Sequence, residues 1–214
     1  MSVLVPGTTL HTRTYDVDAV VVDDSHFKLV GHVQDVKPDG LWSVDDPDPL
    51  TIHDMTVTMT VAVAGLLITA VDVEMSTHPQ HECPFILPIY QQLVGLSIAR
   101  GFTHKVREMF GGPRACTHIG ALINAMAPVA MQVVWSFSHL MPDPGLGADG
   151  DAAVMAARRR GLERNRNTCH VFAEDGPMFQ RFERGETRDI PLWAEKRLGE
   201  LDIELDVWVA KTGR

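Results

Sequence analysis

The sequence predicts an α+β protein, an antiparallel sheet of about four strands packed by helices and followed by a C-terminal extension. Three observations carry that expectation. Residues 55–63 read M-T-V-T-M-T-V-A-V, the period-two alternation of a half-buried antiparallel strand. After Cys83 the apolar spacing changes to that of a helix. A Pro/Gly/Asp-rich stretch at 141–150 then separates a compact unit, 1–140, from an extension, 141–214, expected to cover it.

Taken in order, residues 14–22 and 27–36 read as a first hairpin joined across Asp23-Asp24-Ser25. Residues 37–49, K-P-D-G-L-W-S-V-D-D-P-D-P, form a loop that delivers His53-Asp54 to the start of the third strand. Ala64-Gly65 turns the chain, and 67–75 returns with Asp72 and Glu74 on its outer face. Ile86, Ile89, Tyr90, Leu93 and Leu96 then fall at helical spacing, with Pro84 suited to the first helical position. A short helix at 103–110 ends at Gly111-Gly112. Another starts near Thr117 and buries Ile119, Leu122, Ile123, Met126, Ala130 and Val133, with Pro128 expected to kink or shorten it. In the extension, 151–166 reads as a helix whose Arg158, Arg159, Arg160 and Arg164 suit a solvated face better than an anion site. Ile203, Leu205, Val207 and Val209 alternate as in a late strand.

The bulk properties exclude several classes. A chain of 214 residues with 45% hydrophobic content can bury one core, or one core plus an appendage. A net charge of -9 argues against a general nucleic-acid binder, which needs a basic phosphate-facing patch. Residues 1–10 have neither the basic start nor the apolar run of a signal peptide. The apolar stretch 121–137 is interrupted by Asn124, Pro128 and Gln132, so no membrane span is expected. Three cysteines at scattered positions do not suggest a disulfide framework. The expectation is a cytoplasmic protein with available thiols and a small-molecule substrate; a homo-oligomer is compatible with it.

Chemistry centres on the thiols and some of the ten histidines. Cys83 and Cys116 each sit immediately before a helix, where peptide N–H groups and the helix dipole favour an anionic sulfur. His118 follows Cys116 by two residues and can bend back toward it, while His53-Asp54 opens the central strand. A tetrahedral site of two sulfurs, one imidazole and a further His, Asp or water follows if they converge. Taken singly, each cysteine reads as well, or better, as a small buried hydrophobe, and no C-x-x-C or H-x-x-x-H spacing is present. Cys169-His170 is a further candidate in the extension, although both side chains reach one centre only if the backbone turns between them. His81 is a spare, and His11, His26, His32, His78, His104 and His139 lack a partner pattern and read as surface or core histidines.

The strings L-T-I-H-D-M, H-E-C-P, L-V-G-L-S-I, K-V-R-E-M-F-G-G, R-A-C-T-H-I and T-C-H-V-F-A-E-D-G-P together resemble a bacterial family known only as a domain of unknown function. That likeness runs over roughly residues 10–177 and implies no reaction. The order hairpin, cysteine, helix, then a cysteine opening an Ala-rich helix is more distantly similar to the IscU/NifU scaffold fold shared by SufE sulfur acceptors. On that resemblance His53-Asp54 falls where the scaffolds carry Cys-Gly-Asp, Cys83 matches their second cysteine and Cys116 their last. The first thiol is thus replaced by His53, and Ala115 stands where the scaffolds have the histidine before the last cysteine. A mixed His/Asp/Cys/Cys set suits one zinc or iron ion better than an iron–sulfur cluster.

Three functions follow as expectations. The first is a mononuclear metal-dependent lyase or hydrolase with metal donors among His53, Cys83, Cys116, His118 and Cys169. Its candidate catalytic residues are Asp54 as ligand or general base, His118, and Arg107 (or Arg114) holding an anionic group. The second is a sulfur or iron–sulfur carrier. The third is a structural-metal protein that binds a partner protein.

Overall fold

The computed structural model describes residues 6–40, 46–99, 101–140, 156, 159–163, 165–186, 191–205 and 207, with side chains 138–140 excepted. The chain divides into two compact units, Met1–Leu140 and Met141–Arg214.

In the first unit β1 (Thr12–Asp23), β2 (His26–Lys37), β3 (Leu50–Ala62) and β4 (Leu67–Thr77) form one antiparallel sheet in the order β1-β2-β3-β4. The strands reach past the alternating segments expected for them, because ladder pairing continues beyond the apolar positions, except that β3 stops at Ala62, one residue short of the expected end. Asp23 closes the first turn by accepting the Ser25 backbone N–H at 2.8 Å. The second turn uses Gly65 at φ 72°, a left-handed conformation that favours glycine.

Strand alternation assigns the faces. Phe27, Leu29 and Val33 of β2, and Met55, Val57, Met59 and Val61 of β3, are buried on one face. Helix α2 (Thr117–Leu140) supplies Ile119, Leu122, Ile123, Met126 and Ala130 to the same core. Gly31 permits a close approach there: a Cβ at that position would lie 2.6 Å from the Met126 sulfur. Phe137 packs near Phe27, ring centroids 6.1 Å apart. Helix α1 (Phe102–Phe110) adds Phe102, Val106 and Phe110, the last against Tyr90 at 5.3 Å. The length and composition of α2 alone would suit a bilayer crossing; its core residues account for the apolar side that packs inward.

Two helical expectations change in form. The segment after Cys83 is a 3₁₀ run, Cys83–Leu93, with Pro84 at its start and Pro88 inside it. Pro88 has no N–H for an α-helical bond and crowds the preceding turn, which disfavours α geometry here. Tyr90 and Leu93, three residues apart, are its buried side chains. Conversely, Pro128 does not end α2, which continues through it to Leu140; Pro128 lies on an exposed position of the helix.

In the second unit, residues 159–163 are helical, and a 3₁₀ turn at His170–Phe172 precedes α3 (Pro177–Glu183) and α4 (Leu192–Glu200). Arg166 pairs with Glu163 and Glu174 and lies 4.4 Å over the Phe179 ring. Arg159 and Arg160 are exposed. The late strand expected at 203–209 is corrected at Leu205 and Val207, which are helical. The loop at 141–150, and residues 151–155, 157, 158 and 164 of the helix expected at 151–166, lie outside the described residues, as do positions 41–45 of the loop after β2.

Candidate metal centre

The inward-facing series of β2 ends on a charge. Asp35 continues the parity of Phe27, Leu29 and Val33, and its side chain is completely buried. A carboxylate so placed needs strong partners, since burial without them disfavours the ionised form by several kcal/mol. The sheet supplies them directly: Arg13 on β1 and His53 on β3 are the cross-strand partners of Asp35. Three strands thereby set Arg13, Asp35 and His53 in a row on the core face.

The geometry is tight. Arg13 donates from Nε to Oδ1 and from Nη2 to Oδ2, each at 2.6 Å, the bidentate fork of a strong ion pair. His11, two residues before Arg13 and on the same face, places Nε2 3.0 Å from Oδ1. His53 places Nδ1 2.8 Å from Oδ2. A register shift beyond Asp35 adds a residue on β3 beside His53, and such bulges re-aim side chains at sites.

The fourth neighbour comes from the helix layer. His118, in the first turn of α2, stacks on His53 with ring centroids 3.8 Å apart, and its Nε2 lies 3.6 Å from Oδ2 of Asp35. Its other nitrogen, Nδ1, is 3.6 Å from the Cys116 sulfur. The start of α2 is fastened from below by Tyr90, whose hydroxyl oxygen accepts the Cys116 backbone N–H at 3.0 Å. Burial pushes the Tyr90 phenol above its ordinary range.

Ionisation follows from these contacts. The Arg13 guanidinium holds the Asp35 carboxyl well below the usual carboxylate range, against the opposing effect of burial. Burial, reinforced by the neighbouring His53 and Arg13 and opposed by Asp35, lowers His118 from the ordinary histidine value. The site therefore pairs a committed carboxylate with an imidazole biased toward its neutral form, the states in which both bind metals.

Asp35, His53 and His118 each offer a ligand atom, and these atoms lie within 4.8 Å of one another. Donors about 2.0–2.2 Å from one tetrahedral ion stand roughly 3.5 Å apart, so modest side-chain adjustment gathers them. The outer contacts of Asp35 to Arg13 and His11 would orient that ligand from the second coordination sphere.

The residues expected from sequence distribute unevenly around this centre. His53 and His118 meet in it. Cys116 borders it through His118, half-buried. Cys83 opens the 3₁₀ run, half-buried, and is not one of the clustered donors. Asp54 projects from the opposite sheet face, where His32 at 3.0 Å and Gln34 at 2.9 Å hold its carboxylate. Arg107 and Arg114 are exposed on the α1 side, where Arg114 Nη2 approaches the Arg107 carbonyl at 3.4 Å. Cys169 is exposed in the second unit, in extended backbone before the 3₁₀ turn that carries His170. Sequence reasoning missed Asp35, Arg13 and His11. The available signal was parity: a carboxylate on the inward positions of β2, facing an arginine across the first hairpin.

No curated protein and no solved structure matches the chain. A family profile described as "Protein of unknown function (DUF2889)" matches residues 11–132, a span that contains His11, Arg13, Asp35, His53 and His118. Since that match covers more than half of the 214 residues, the chain belongs to the DUF2889 family.

Proposed function

We propose that the chain binds a single zinc or ferrous ion through Asp35, His53 and His118 and acts as a mononuclear metal-dependent hydrolase or lyase on a small organic substrate. The observation that carries this reading is the convergence of two imidazoles and one carboxylate within 4.8 Å. Two histidines and a carboxylate leave coordination positions open, which is the arrangement of catalytic zinc sites and of ferrous sites rather than of closed structural ones. The ion would supply Lewis acidity toward a carbonyl or a bound water. Arg13 keeps Asp35 ionised and fixes its plane. His118 donates its Nε2 to the centre while Nδ1 rests against the Cys116 sulfur. A sulfur-carrier role has weaker support, because the clustered donors include no thiolate among the described residues.

Elemental analysis of the purified protein tests the reading. The expected content is about one zinc or iron per chain, falling to near zero in His53→Ala and His118→Ala and unchanged in Cys83→Ser. Absence of metal after growth and reconstitution with either ion would sink it. If metal removal unfolds the chain but leaves no dependence of any turnover on the ion, the structural-metal alternative takes its place.

A further inference from the structure

We infer that the substrate of this centre is a small organic carboxylate, its anionic group held by Arg13 and His11 beside the metal; the inference rests on the metal-centre reading above. Three features support it. The first is what the centre presents to solvent. Asp35 is wholly hidden, whereas the side chains of His11 and Arg13 are each 34% exposed, His118 21% and His53 13%. An approaching molecule thus meets nitrogen groups and never the carboxylate beneath them.

The second is unused donor capacity. A guanidinium carries five N–H donors in a planar fork. Arg13 spends Nε and one hydrogen of Nη2 on Asp35, and Nη1 reaches only the Tyr15 hydroxyl at a long 3.5 Å. His11 faces Asp35 with Nε2, and its Nδ1, which has no partner among the described residues, is a second donor when the ring carries both protons. A planar fork beside an imidazole suits a planar carboxylate.

The third is charge. Arg13 and Asp35 cancel, so a divalent ion leaves about two positive charges uncompensated by side chains at the centre. The N-terminal turn of α2, which carries His118, adds the partial positive charge of a helix start. The chain as a whole carries a net charge of -9, so a net positive centre stands against an acidic background. An anionic ligand completes the balance, while a neutral one leaves it open.

Calorimetric titration of the zinc-loaded protein with oxalate, and with oxamide as its neutral isostere, is the test. Oxalate should bind at least about tenfold more tightly than oxamide. His11→Ala, titrated under saturating zinc so that its loaded fraction matches that of the parent protein, should weaken oxalate about tenfold, the loss of one charge-assisted hydrogen bond. Equal binding of oxalate and oxamide, no effect of His11→Ala, or tighter binding of orthophosphate than oxalate would each overturn the inference. A metal-free sample separates the two readings. There, oxalate should shift the His11 ring resonances in NMR spectra and spare those of exposed His104. Such a shift in a protein that takes up no zinc would preserve the anion site and remove the metal; zinc uptake with no oxalate response would do the reverse.

Discussion

Asp35 and His53 are direct cross-strand partners, and Nδ1 of His53 lies 2.8 Å from Oδ2 of Asp35. Their spacing is set by the β2–β3 ladder, which is rigid on the scale that metal coordination requires. His118 completes the set from a helix whose start is tied to Tyr90. The centre is therefore held by two layers of the fold rather than by a loop.

Neighbouring positions on β3 should behave oppositely. His53→Ala should abolish stoichiometric metal binding, whereas Asp54→Ala should retain it, since Asp54 serves His32 and Gln34 on the other sheet face. Metal content by mass spectrometry of the native protein reads the difference.

Removing the buried carboxylate should destabilise the first unit. Asp35→Ala leaves Arg13, His11 and His53 facing one another without their counter-charge. The expected loss is about 3 kcal/mol, the lower end for breaking a buried pair, because Arg13 is partly solvated. Urea denaturation of the metal-free protein measures it.

Acid should act on the same cluster in a definite direction. The folded-state pKa of Asp35 is depressed, so its contribution is complete above the unfolded value of about 3.9 and is lost as pH falls through the folded one. His118 is depressed as well, so below its unfolded value of about 6.5 the unfolded chain binds the extra proton first. Stability of the metal-free protein should rise with pH up to the neutral region. His118→Gln should flatten the part of that slope just below about pH 6.5 and Asp35→Asn the part below about pH 4.

The sheet-to-helix contact at Gly31 should tolerate no methyl group without cost. An added Cβ would stand 2.6 Å from Met126 Sδ and 3.1 Å from Leu122 Cδ1. Overpacking here should cost about 1 kcal/mol after the gain in strand propensity. In the double variant with Met126→Ala the two losses should sum to less than their separate values, as thermal denaturation would show.

Tyr90→Phe should cost about 1 kcal/mol, since it strips the part-buried Cys116 N–H of its acceptor without opening a cavity at the buried ring. Faster amide exchange at Cys116 than in the parent protein would localise the effect to the start of α2.

Both hairpins were legible in the sequence because period-two alternation and turn residues are local signals, and the pattern of 55–63 has no helical counterpart. Helix α2 was legible for the same reason at period 3.6. The run after Cys83 was legible as helical, but not as 3₁₀, because the apolar spacing there fits either and Pro88 decides between them. His53 and His118 stood out as single residues with nearby candidates. Asp35 did not, because its partners lie 24, 22 and 18 positions away in His11, Arg13 and His53.

By itself, then, the sequence determined the α+β class, the strand pairs and two of the three donors, all of which depend on short-range periodicity and chemistry. Only the tertiary structure decided that His53 works with Asp35 rather than with Asp54 beside it. Adjacent residues on a strand point to opposite faces, and residues on neighbouring strands point to the same one. The strand register selects which carboxylate shares a face with His53, and α2 packing then brings His118 onto it.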